Sequence, residues 1–317
     1  MSFAQKIKIA AIVGPTASGK TALSVEVARR LDGEIICCDS MQIYRGMLVG
    51  TAAPTPNEIE GVPHHLFATV DPKTTFSCSD YVDAVDSIIE EISSRGKLPI
   101  LVGGTGLYLD SLLLGCGDAC AAPDTEYRDT LYRIAEEKGV DALYSMLAEL
   151  DPEAAEKIHP NNVRRVVRAI EICRAYGTKS AYDRDARKGM RYDASVVGLR
   201  FADRGELYSR IDRRVDAMIK GGLVEETARL LGEGVLDVNT TASQAIGYKE
   251  ILPFINGEEE IATSVERLKS ATRHYAKRQL TWFKARSYVN WIDCDGIEST
   301  ETFKNIVNNI IKLFNNL

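Results

Sequence analysis

The most informative segment of the chain is Gly14-Pro15-Thr16-Ala17-Ser18-Gly19-Lys20-Thr21. It has the spacing G-x-x-x-x-G-K-[ST], in which glycines let successive backbone N–H groups point at one anion. The apolar residues 7–13 predict a buried strand before it, and residues 22–31 predict a helix after it. A chance glycine-rich turn rarely has both neighbours, so we interpret residues 14–21 as a loop that holds a phosphate or diphosphate.

Two side chains of this loop have a chemistry of their own. Lys20 supplies a mobile positive charge, and the hydroxyl of Thr21 is placed to reach a magnesium ion. The loop alone does not indicate which phosphate compound it binds.

Length, charge and cysteine usage narrow the class of protein. A chain of 317 residues can form one large domain or two modest ones. Its net charge of −6 means that a nucleic-acid partner would have to meet local basic patches. The sequence shows no membrane-spanning segment or signal peptide, and its seven scattered cysteines contain no C-x-x-C pair. We therefore expect a cytoplasmic protein, without a membrane segment, that works as a monomer.

Polar residues follow two further predicted strands, residues 34–38 and 98–102. The carboxyl ends of parallel strands face the ligand crevice of an open α/β sheet. Asp39, at the end of the first strand, is a candidate general base or metal ligand, with an N-cap for the following turn as the alternative. Thr105, which follows the second strand, could donate a hydrogen bond to a diphosphate oxygen or to a bound base. The alternative is that it only closes the turn. His64-His65 lack neighbouring ligands for zinc and are interpreted as ordinary loop residues.

The middle of the chain has a different composition and predicts an inserted domain. Residues 115–123 are interpreted as a linker, residues 126–150 as a helix and residues 160–175 as another helix. The apolar, β-branched residues 195–201 return to the sheet. We therefore predict an α/β core of residues 1–115 and 195–317 and an inserted helical domain of residues 116–194.

The inserted domain contains an excess of positive charge. Residues 157–191 include ten basic residues and three acidic ones, with Arg164 and Arg168 on one helical face. In an acidic protein this asymmetry favours contact with a polyanion. The alternative is a solvated helix with an Arg168–Glu171 pair.

Two further helices are basic. Arg210 and Arg214 share one face and suit an oxygen-rich leaving group, although Asp212 and Asp216 could neutralise them on the surface.

Residues 266–286 contain seven basic residues and one acid, interleaved with His274, Tyr275, Trp282 and Phe283, a pattern that suits RNA. The alternative is core packing, which we expect for at least one of Trp282 and Phe283. Residues 241–250 carry no assignable chemistry, and the chain after Trp291 predicts a polar, Asn-rich helix.

Together these motifs make the sequence similar to one family, the tRNA dimethylallyltransferases, also called tRNA isopentenyltransferases. A bare phosphate loop is common to many kinases, but the conjunction of motifs in family order is highly specific. Asn162 departs from the pattern, because an aspartate is expected there in many relatives. The segments that carry the resemblance are GPTASGKT (14–21), DSMQIYRGM (39–47), GVPHHLF (61–67), LVGGTGLY (101–108), HPNNVRRVVRAIE (159–171), RIDRRVDAMIKGGLVEE (210–226), QAIGYKE (244–250) and TRHYAKRQLTWFK (272–284).

The resemblance implies a fold and a reaction. The fold would be a P-loop NTPase-like parallel sheet with helices on both faces and an inserted all-helical domain. The reaction would transfer the dimethylallyl group of dimethylallyl diphosphate to the N6 amine of the adenine on the 3′ side of the anticodon in tRNA. The products would be N6-isopentenyladenosine and diphosphate. The loop would then hold a prenyl diphosphate; whether it also binds ATP stays open.

The resemblance also assigns residues. Asp39 would be the general base, Thr105 would contact substrate near the reacting centre, and Lys20, Arg210 and Arg214 would stabilise the departing diphosphate. Residues 14–21 would bind the diphosphate, with Thr21 holding Mg²⁺. Contacts to the anticodon stem-loop would come from Asp39, Ser40, Met41, Gln42, Thr105, Arg128, Arg164, Arg165, Val166, Val167, Arg168, Arg278 and Gln279.

Three other functions compete with this one. A small-molecule kinase would use ATP at the loop but has no need of a basic inserted domain. Prenyl transfer to free adenine nucleotides would not need the insertion or the helix rich in arginine and aromatic residues. A non-catalytic RNA-binding protein would not need an intact Lys20, Thr21 and Asp39.

Overall fold

The computed structural model of the chain describes residues 6–115, 124–186, 189–237 and 240–317. Its strands are β1 (Lys8–Val13), β2 (Gly33–Cys37), β3 (His64–His65), β4 (Leu98–Gly103), β5 (Asp193–Arg200) and β6 (Val289–Asp293). Its helices are α1 (Lys20–Arg30), α2 (Pro56–Ile59), α3 (Cys78–Ser94), α4 (Gly106–Leu114), α5 (Thr125–Lys138), α6 (Val140–Leu150), α7 (Pro152–Lys157), α8 (Val163–Tyr176), α9 (Lys179–Ala186), α10 (Arg204–Lys220), α11 (Leu223–Gly232), α12 (Tyr248–Ile255), α13 (Ile261–Lys284) and α14 (Thr300–Phe314). A 3₁₀ turn spans Ala242–Gln244.

The strands form one parallel sheet in the order β3-β2-β4-β1-β5-β6. The connections from β1 to β2 and from β2 to β3 run toward one edge, whereas the connection from β3 to β4, which contains α3, returns. Because such crossovers are right-handed, α1 and α3 cover opposite faces. The predicted parallel sheet with helices on both faces is confirmed.

The register of the three adjacent strands brings their carboxyl ends to one place. Val13 of β1 pairs with Gly103 of β4, and Cys37 of β2 pairs with Val102. A Cβ on Gly103 would lie 2.0 Å from the carbonyl oxygen of Cys38, so only glycine fits there. The loops that follow β1, β2 and β4 therefore start side by side, which is the position of ligand sites in sheets of this kind.

Contacts divide the chain into two compact units. The sheet unit comprises Met1–Phe76, Asp83–Leu109 and Tyr192–Leu317, and the helical unit comprises Ser77–Val82 and Asp110–Arg191.

The boundaries of the helical unit differ from the predicted 116–194. The two ends of its long segment meet where the N–H of Arg191 donates to the carbonyl oxygen of Leu113 at 2.7 Å. The sheet resumes two residues after Arg191, at Asp193, which pairs with Lys8. Of the predicted linker 115–123, residues 116–123 lie outside the described residues.

Each unit has its own core. In the sheet unit, Ile12 of β1, Leu23 of α1 and Ile310 of α14 are fully buried in one cluster. The core of the helical unit is formed by the buried side chains of Leu131, Leu143, Leu147, Val166, Val167 and Ile170.

Three local predictions need correction. Residues 126–150 are two helices, because Gly139 adopts a positive φ of 85° between α5 and α6. His64–His65 is a short strand paired with β2, where a loop is predicted. The segment after residue 288 forms the edge strand β6 before the last helix. That helix is amphipathic, because it buries Ile306, Val307, Ile310 and Phe314.

Candidate active site

A cavity of about 560 Å³ lies in the sheet unit, at the carboxyl ends of the strands. It brings together most of the cationic, acidic and loop residues that the sequence singles out. Its lining includes Thr16, Ala17, Ser18, Gly19, Lys20, Thr21, Asp39, Ser40, Met41, Gln42, Arg210, Arg214, Arg278 and Gln279.

Lys20 is a half-buried cation of this cavity. Its Nζ donates to the carbonyl oxygens of Gly14 and Pro15 at 3.1 and 2.7 Å. Burial, together with the positive charge of Arg214, lowers the Lys20 pKa from 10.5 to about 7, although Asp39 acts in the opposite direction. A bound anion would favour the protonated amine, so the site is prepared for negative charge.

Two arginines of α10 flank the loop of residues 14–21. The Nε of Arg210 donates to the carbonyl oxygen of Ala17 at 2.9 Å, and its Nη1 pairs with Glu298 at 2.8 Å. The guanidinium of Arg214 is buried, and this burial lowers its pKa. Among the described atoms, its Nε has no hydrogen-bond acceptor. A buried donor of this kind is costly without a ligand oxygen to receive it.

The acidic neighbours on α10 do not neutralise these arginines. Asp212 accepts from Arg273 at 2.9 Å, and Asp216 pairs with Lys269 at 2.8 Å. The interpretation that the two aspartates neutralise Arg210 and Arg214 is therefore wrong.

Asp39 lies both in the turn after β2 and in the lining of the cavity. Its Oδ1 accepts the backbone N–H of Met41 at 2.9 Å, which shapes the turn after β2. Its side chain also lines the cavity, and its negative charge acts on Lys20, Arg214 and Tyr275.

Thr105 connects the loops after β2 and β4. Its Oγ1 accepts the N–H of Ser40 at 2.9 Å, and its own N–H donates to the carbonyl oxygen of Cys38 at 3.1 Å. The side chain of Tyr275 lies near those of Thr105 and Gln279, and burial raises the Tyr275 pKa. The sequence indicates Tyr275 only as an aromatic residue among arginines, so its place beside Thr105 is new.

Gln279, a buried residue of α13, connects two loops of the site. Its Oε1 accepts the N–H of Thr16 at 2.9 Å, and its Nε2 donates to the carbonyl oxygen of Gly104 at 3.1 Å. The residue is buried. It therefore holds the loop of residues 14–21 against the loop after β4, whereas the family resemblance places it only among the RNA contacts.

The aromatic residues at the end of α13 pack inward. Phe283 is fully buried, and Trp282 lies against Gly106, where a Cβ would come within 2.2 Å of the indole. The expectation that at least one of the two belongs to the core is confirmed. Arg278 is exposed, and its guanidinium carbon lies 5.5 Å from the centroid of the Tyr275 ring.

Gln244 and Lys249 are among the polar residues of the cavity lining that sequence reasoning missed. They belong to the segment 241–250, to which spacing assigns no chemistry. The one sequence feature that could have indicated them is that both lie in the motif QAIGYKE, residues 244–250.

The arginines of the helical unit are of two kinds. Arg164 and Arg165 are exposed on α8. Arg128 and Arg168 instead contact the buried carboxylate of Glu171 at 2.9 and 3.2 Å, so the Arg168–Glu171 pair considered as an alternative is present.

Two residues that the sequence places among the RNA contacts support the helix from inside. The side chains of Val166 and Val167 are almost completely buried, because they form the apolar stripe that packs in the helical core. These valines hold the arginine-bearing face in place and are not part of it.

Two other features are absent from the part of the chain that the structure describes. It contains no group of three or more His, Cys, Asp or Glu side chains placed to hold a metal ion. None of its helices is both long and apolar enough to cross a membrane.

Comparisons with known proteins give consistent results. The sequence model of the IPP transferase family matches residues 42–286. A Bacillus subtilis protein named tRNA dimethylallyltransferase is 47% identical over 289 residues, which cover 91% of each chain. The crystal structure of a Bacillus halodurans tRNA isopentenylpyrophosphate transferase has 41% identity and a TM-score of 0.70, covering 98% of this chain and 99% of the other. A eukaryotic dimethylallyltransferase acting on tRNA has 30% identity and a TM-score of 0.78, covering 96% and 79%.

Proposed function

The chain belongs to the tRNA dimethylallyltransferase family, and we propose that it transfers the dimethylallyl group of dimethylallyl diphosphate to the N6 amine of an adenine in tRNA. It is a prenyltransferase that acts on tRNA. The target would be the adenine on the 3′ side of the anticodon. The observation that carries the proposal is one cavity lined by residues 16–21 of the loop, by Arg210 and Arg214 and by Asp39.

The diphosphate would lie against residues 14–21. Backbone N–H groups of the loop, the amine of Lys20 and the guanidinium groups of Arg210 and Arg214 would meet its oxygens. As the bond between carbon 1 of the prenyl group and the diphosphate oxygen breaks, these donors stabilise the charge that develops on the leaving group. Lys20 would gain a proton or keep one on binding, because an adjacent anion raises its pKa from about 7.

The amine would be activated by Asp39. An aromatic amine is a weak nucleophile, and a carboxylate within hydrogen-bond reach helps by taking its proton. The N6 atom attacks carbon 1, the carbon–oxygen bond breaks, and the proton of the amine moves to the carboxylate. Removing the adenine from its stack costs a few kcal/mol, and an unpaired anticodon loop minimises this cost.

The residues of the cavity fit a magnesium ion that is held mainly by substrate. The Thr21 hydroxyl lines the cavity, whereas the described residues offer no all-protein cage of carboxylates. Mg²⁺ usually keeps several waters and binds through one or two protein oxygens together with phosphates. Thr21 would hold the ion, which when bound supplies positive charge to the leaving diphosphate.

RNA would be gripped by exposed arginines of both units. Arg164 and Arg165 of α8 and Arg278 of α13 are accessible for phosphate or base contacts. We propose that the enzyme works as a monomer, which sedimentation analysis would test. The substrate tRNA also supports a cytoplasmic location.

One assay tests the proposed function. The protein is incubated with labelled dimethylallyl diphosphate, Mg²⁺ and an anticodon stem-loop that contains the target adenine, without ATP. We expect label in the RNA, and none when the adenine is replaced by guanine. Transfer of label to free AMP but not to RNA, or ATP-dependent phosphorylation of a small molecule, would contradict the proposal.

A further inference from the structure

Glu226 of α11 is a carboxylate to which the proposed reaction gives no role. Its Oε2 accepts the backbone N–H groups of Leu48 and Val49 at 2.9 and 3.0 Å, and its Oε1 accepts that of Gly50 at 2.9 Å. The hydroxyl of Tyr248 donates to the same Oε1 at 2.8 Å. A side chain from 176 residues further along the chain thus receives three successive backbone donors of one loop.

The loop held in this way, residues 46–53, is compact. The N–H of Ala52 donates to the carbonyl oxygen of Val49 at 3.0 Å, and that of Ala53 donates to the carbonyl oxygen of Leu48 at 2.9 Å. Ala52 adopts a left-handed φ of 46°, which a residue with a side chain keeps only where its surroundings hold it. The ring of Tyr248 lies where a Cβ on Gly50 would be, 2.5 Å from that position.

Carbonyl oxygens of the same loop accept hydrogen bonds from two side chains that line the cavity. The Nε2 of Gln42 donates to the carbonyl oxygens of Thr51 and Ala52 at 3.1 and 3.0 Å. The Nη2 of Arg214 approaches the same oxygen of Ala52 at 3.4 Å. With both amide hydrogens of Gln42 engaged, its orientation is fixed and its Oε1 is the atom left to accept from a ligand.

We propose that Glu226 is a positioning residue, whose carboxylate holds loop 46–53 so that the loop fixes the Gln42 amide for recognition of the exocyclic amine of the incoming base. The inference rests on the proposed function, because that function supplies the adenine. Neither Glu226 nor Tyr248 lies among the residues that line the cavity, so their effect passes through the loop.

The test variant is Glu226→Gln. It keeps the size of the side chain but replaces an acceptor oxygen by an NH₂ group, which cannot accept from the N–H groups that it would face. The matched control is Glu225→Gln, which changes the same residue type in the same helical turn but at an exposed position. Tyr248→Phe is a second variant, because it removes the side-chain donor and keeps the three backbone bonds.

The first measurement is hydrogen exchange at the amides of Leu48, Val49 and Gly50. In Glu226→Gln we expect exchange that is about tenfold faster, since a backbone donor loses its acceptor. Exchange in β1 and β4 stays unchanged and shows that the variant is folded. Glu225→Gln and Tyr248→Phe should stay within about threefold of wild type at the three amides. Unchanged exchange in Glu226→Gln would overturn the proposal.

The second measurement separates the two substrates. For Glu226→Gln we expect a KM for the anticodon stem-loop that is raised about tenfold, with a KM for dimethylallyl diphosphate within about twofold of wild type. A purely structural role would affect both substrates together. Faster exchange with an unchanged KM for the stem-loop would overturn the positioning role of Glu226 and would leave the proposed function intact. A wild-type chain that transfers no label to RNA would instead count against the proposed function.

Discussion

At the scale of single residues, the cavity holds charge that only a ligand can fully satisfy. Lys20 is half-buried and depends on two loop carbonyls, and Arg214 has a buried Nε without an acceptor among the described atoms. Groups arranged in this way reduce the stability of the ligand-free protein and favour the binding of an anion. Stability and activity should therefore respond in opposite directions when these groups are replaced.

Lys20→Met should stabilise the ligand-free protein and abolish transfer. The folded-state pKa of about 7 lies below the unfolded-state value of 10.5. Between these pH values the unfolded wild-type chain binds one more proton than the folded chain, so the stability of the wild-type protein rises with pH. Below about pH 7 the full cost of burying the charged Lys20 amine is present. At roughly 1.4 kcal/mol per pKa unit, the variant should gain several kcal/mol at about pH 6.5 and lose most of this advantage by about pH 9.5.

Urea unfolding of the two proteins at both pH values measures this difference. Titrating groups distant from Lys20 act equally on both proteins, so the difference reports on Lys20 and on the charges that act on it, Arg214 and Asp39. A stability difference that does not change with pH would show that Lys20 is not a buried amine of lowered pKa.

Asp39→Asn should remove proton transfer and preserve the turn. The amide oxygen of asparagine can still accept the N–H of Met41, whereas the amide cannot act as a base. We expect the single-turnover rate to fall by about 10²–10⁴, with RNA affinity within a few-fold of wild type. A near-normal rate in that variant would exclude Asp39 as the base.

At the scale of elements, α13 supports the site by packing against the loops that form it. Gln279 bonds to the loops after β1 and β4, Tyr275 lies near Thr105, and Trp282 covers Gly106. The geometry of the cavity therefore depends on close packing between this helix and two glycine-rich loops.

Gly104→Ala should disturb this packing. The new Cβ would lie 1.9 Å from the Nε2 of Gln279, which would break the bridge to Thr16. We expect a loss of stability of about 1–3 kcal/mol and a lower kcat/KM for dimethylallyl diphosphate. Gly232→Ala is the control, because nothing lies within 4 Å of its Cβ, and it should be neutral or slightly stabilising. Equal melting temperatures and rates for both variants would contradict the bridge.

Elements differed in how far the sequence could predict them. Residues 14–21, Asp39 and the two arginines of α10 were predictable because spacing and strand ends are local signals. The contacts of Gln279 and Tyr275 arise from the packing of α13 on distant loops, which no local pattern encodes. Strand β6 was missed because it is a short edge strand, paired on one side with β5 and only partly buried.

At the scale of the whole molecule, an acidic protein has to bind a polyanion. The net charge of −6 opposes approach of RNA, so binding depends on locally basic faces such as that of Arg164 and Arg165. Affinity for tRNA should therefore depend strongly on salt concentration.

Replacing Arg164 and Arg165 by glutamine should weaken RNA binding without changing the chemistry. We expect the slope of log affinity against log salt to fall by about 0.7–0.9 for each phosphate that the variant no longer neutralises. The KM for dimethylallyl diphosphate should not change. The charge-matched control replaces Arg29 and Arg30 of α1, which pair with Glu60 and Glu26. Equal salt slopes for the two double variants would exclude α8 from the RNA interface.

The bridge between Thr16 and Gln279 also has a consequence for biosynthesis. The two residues are 263 positions apart, so a ribosome makes the first part of the site long before its last support. The helical unit lies between them in the chain and is synthesised completely before β5 and β6 can pair. Nascent chains that stop before α13 should consequently be catalytically silent, even where their first strands are already translated.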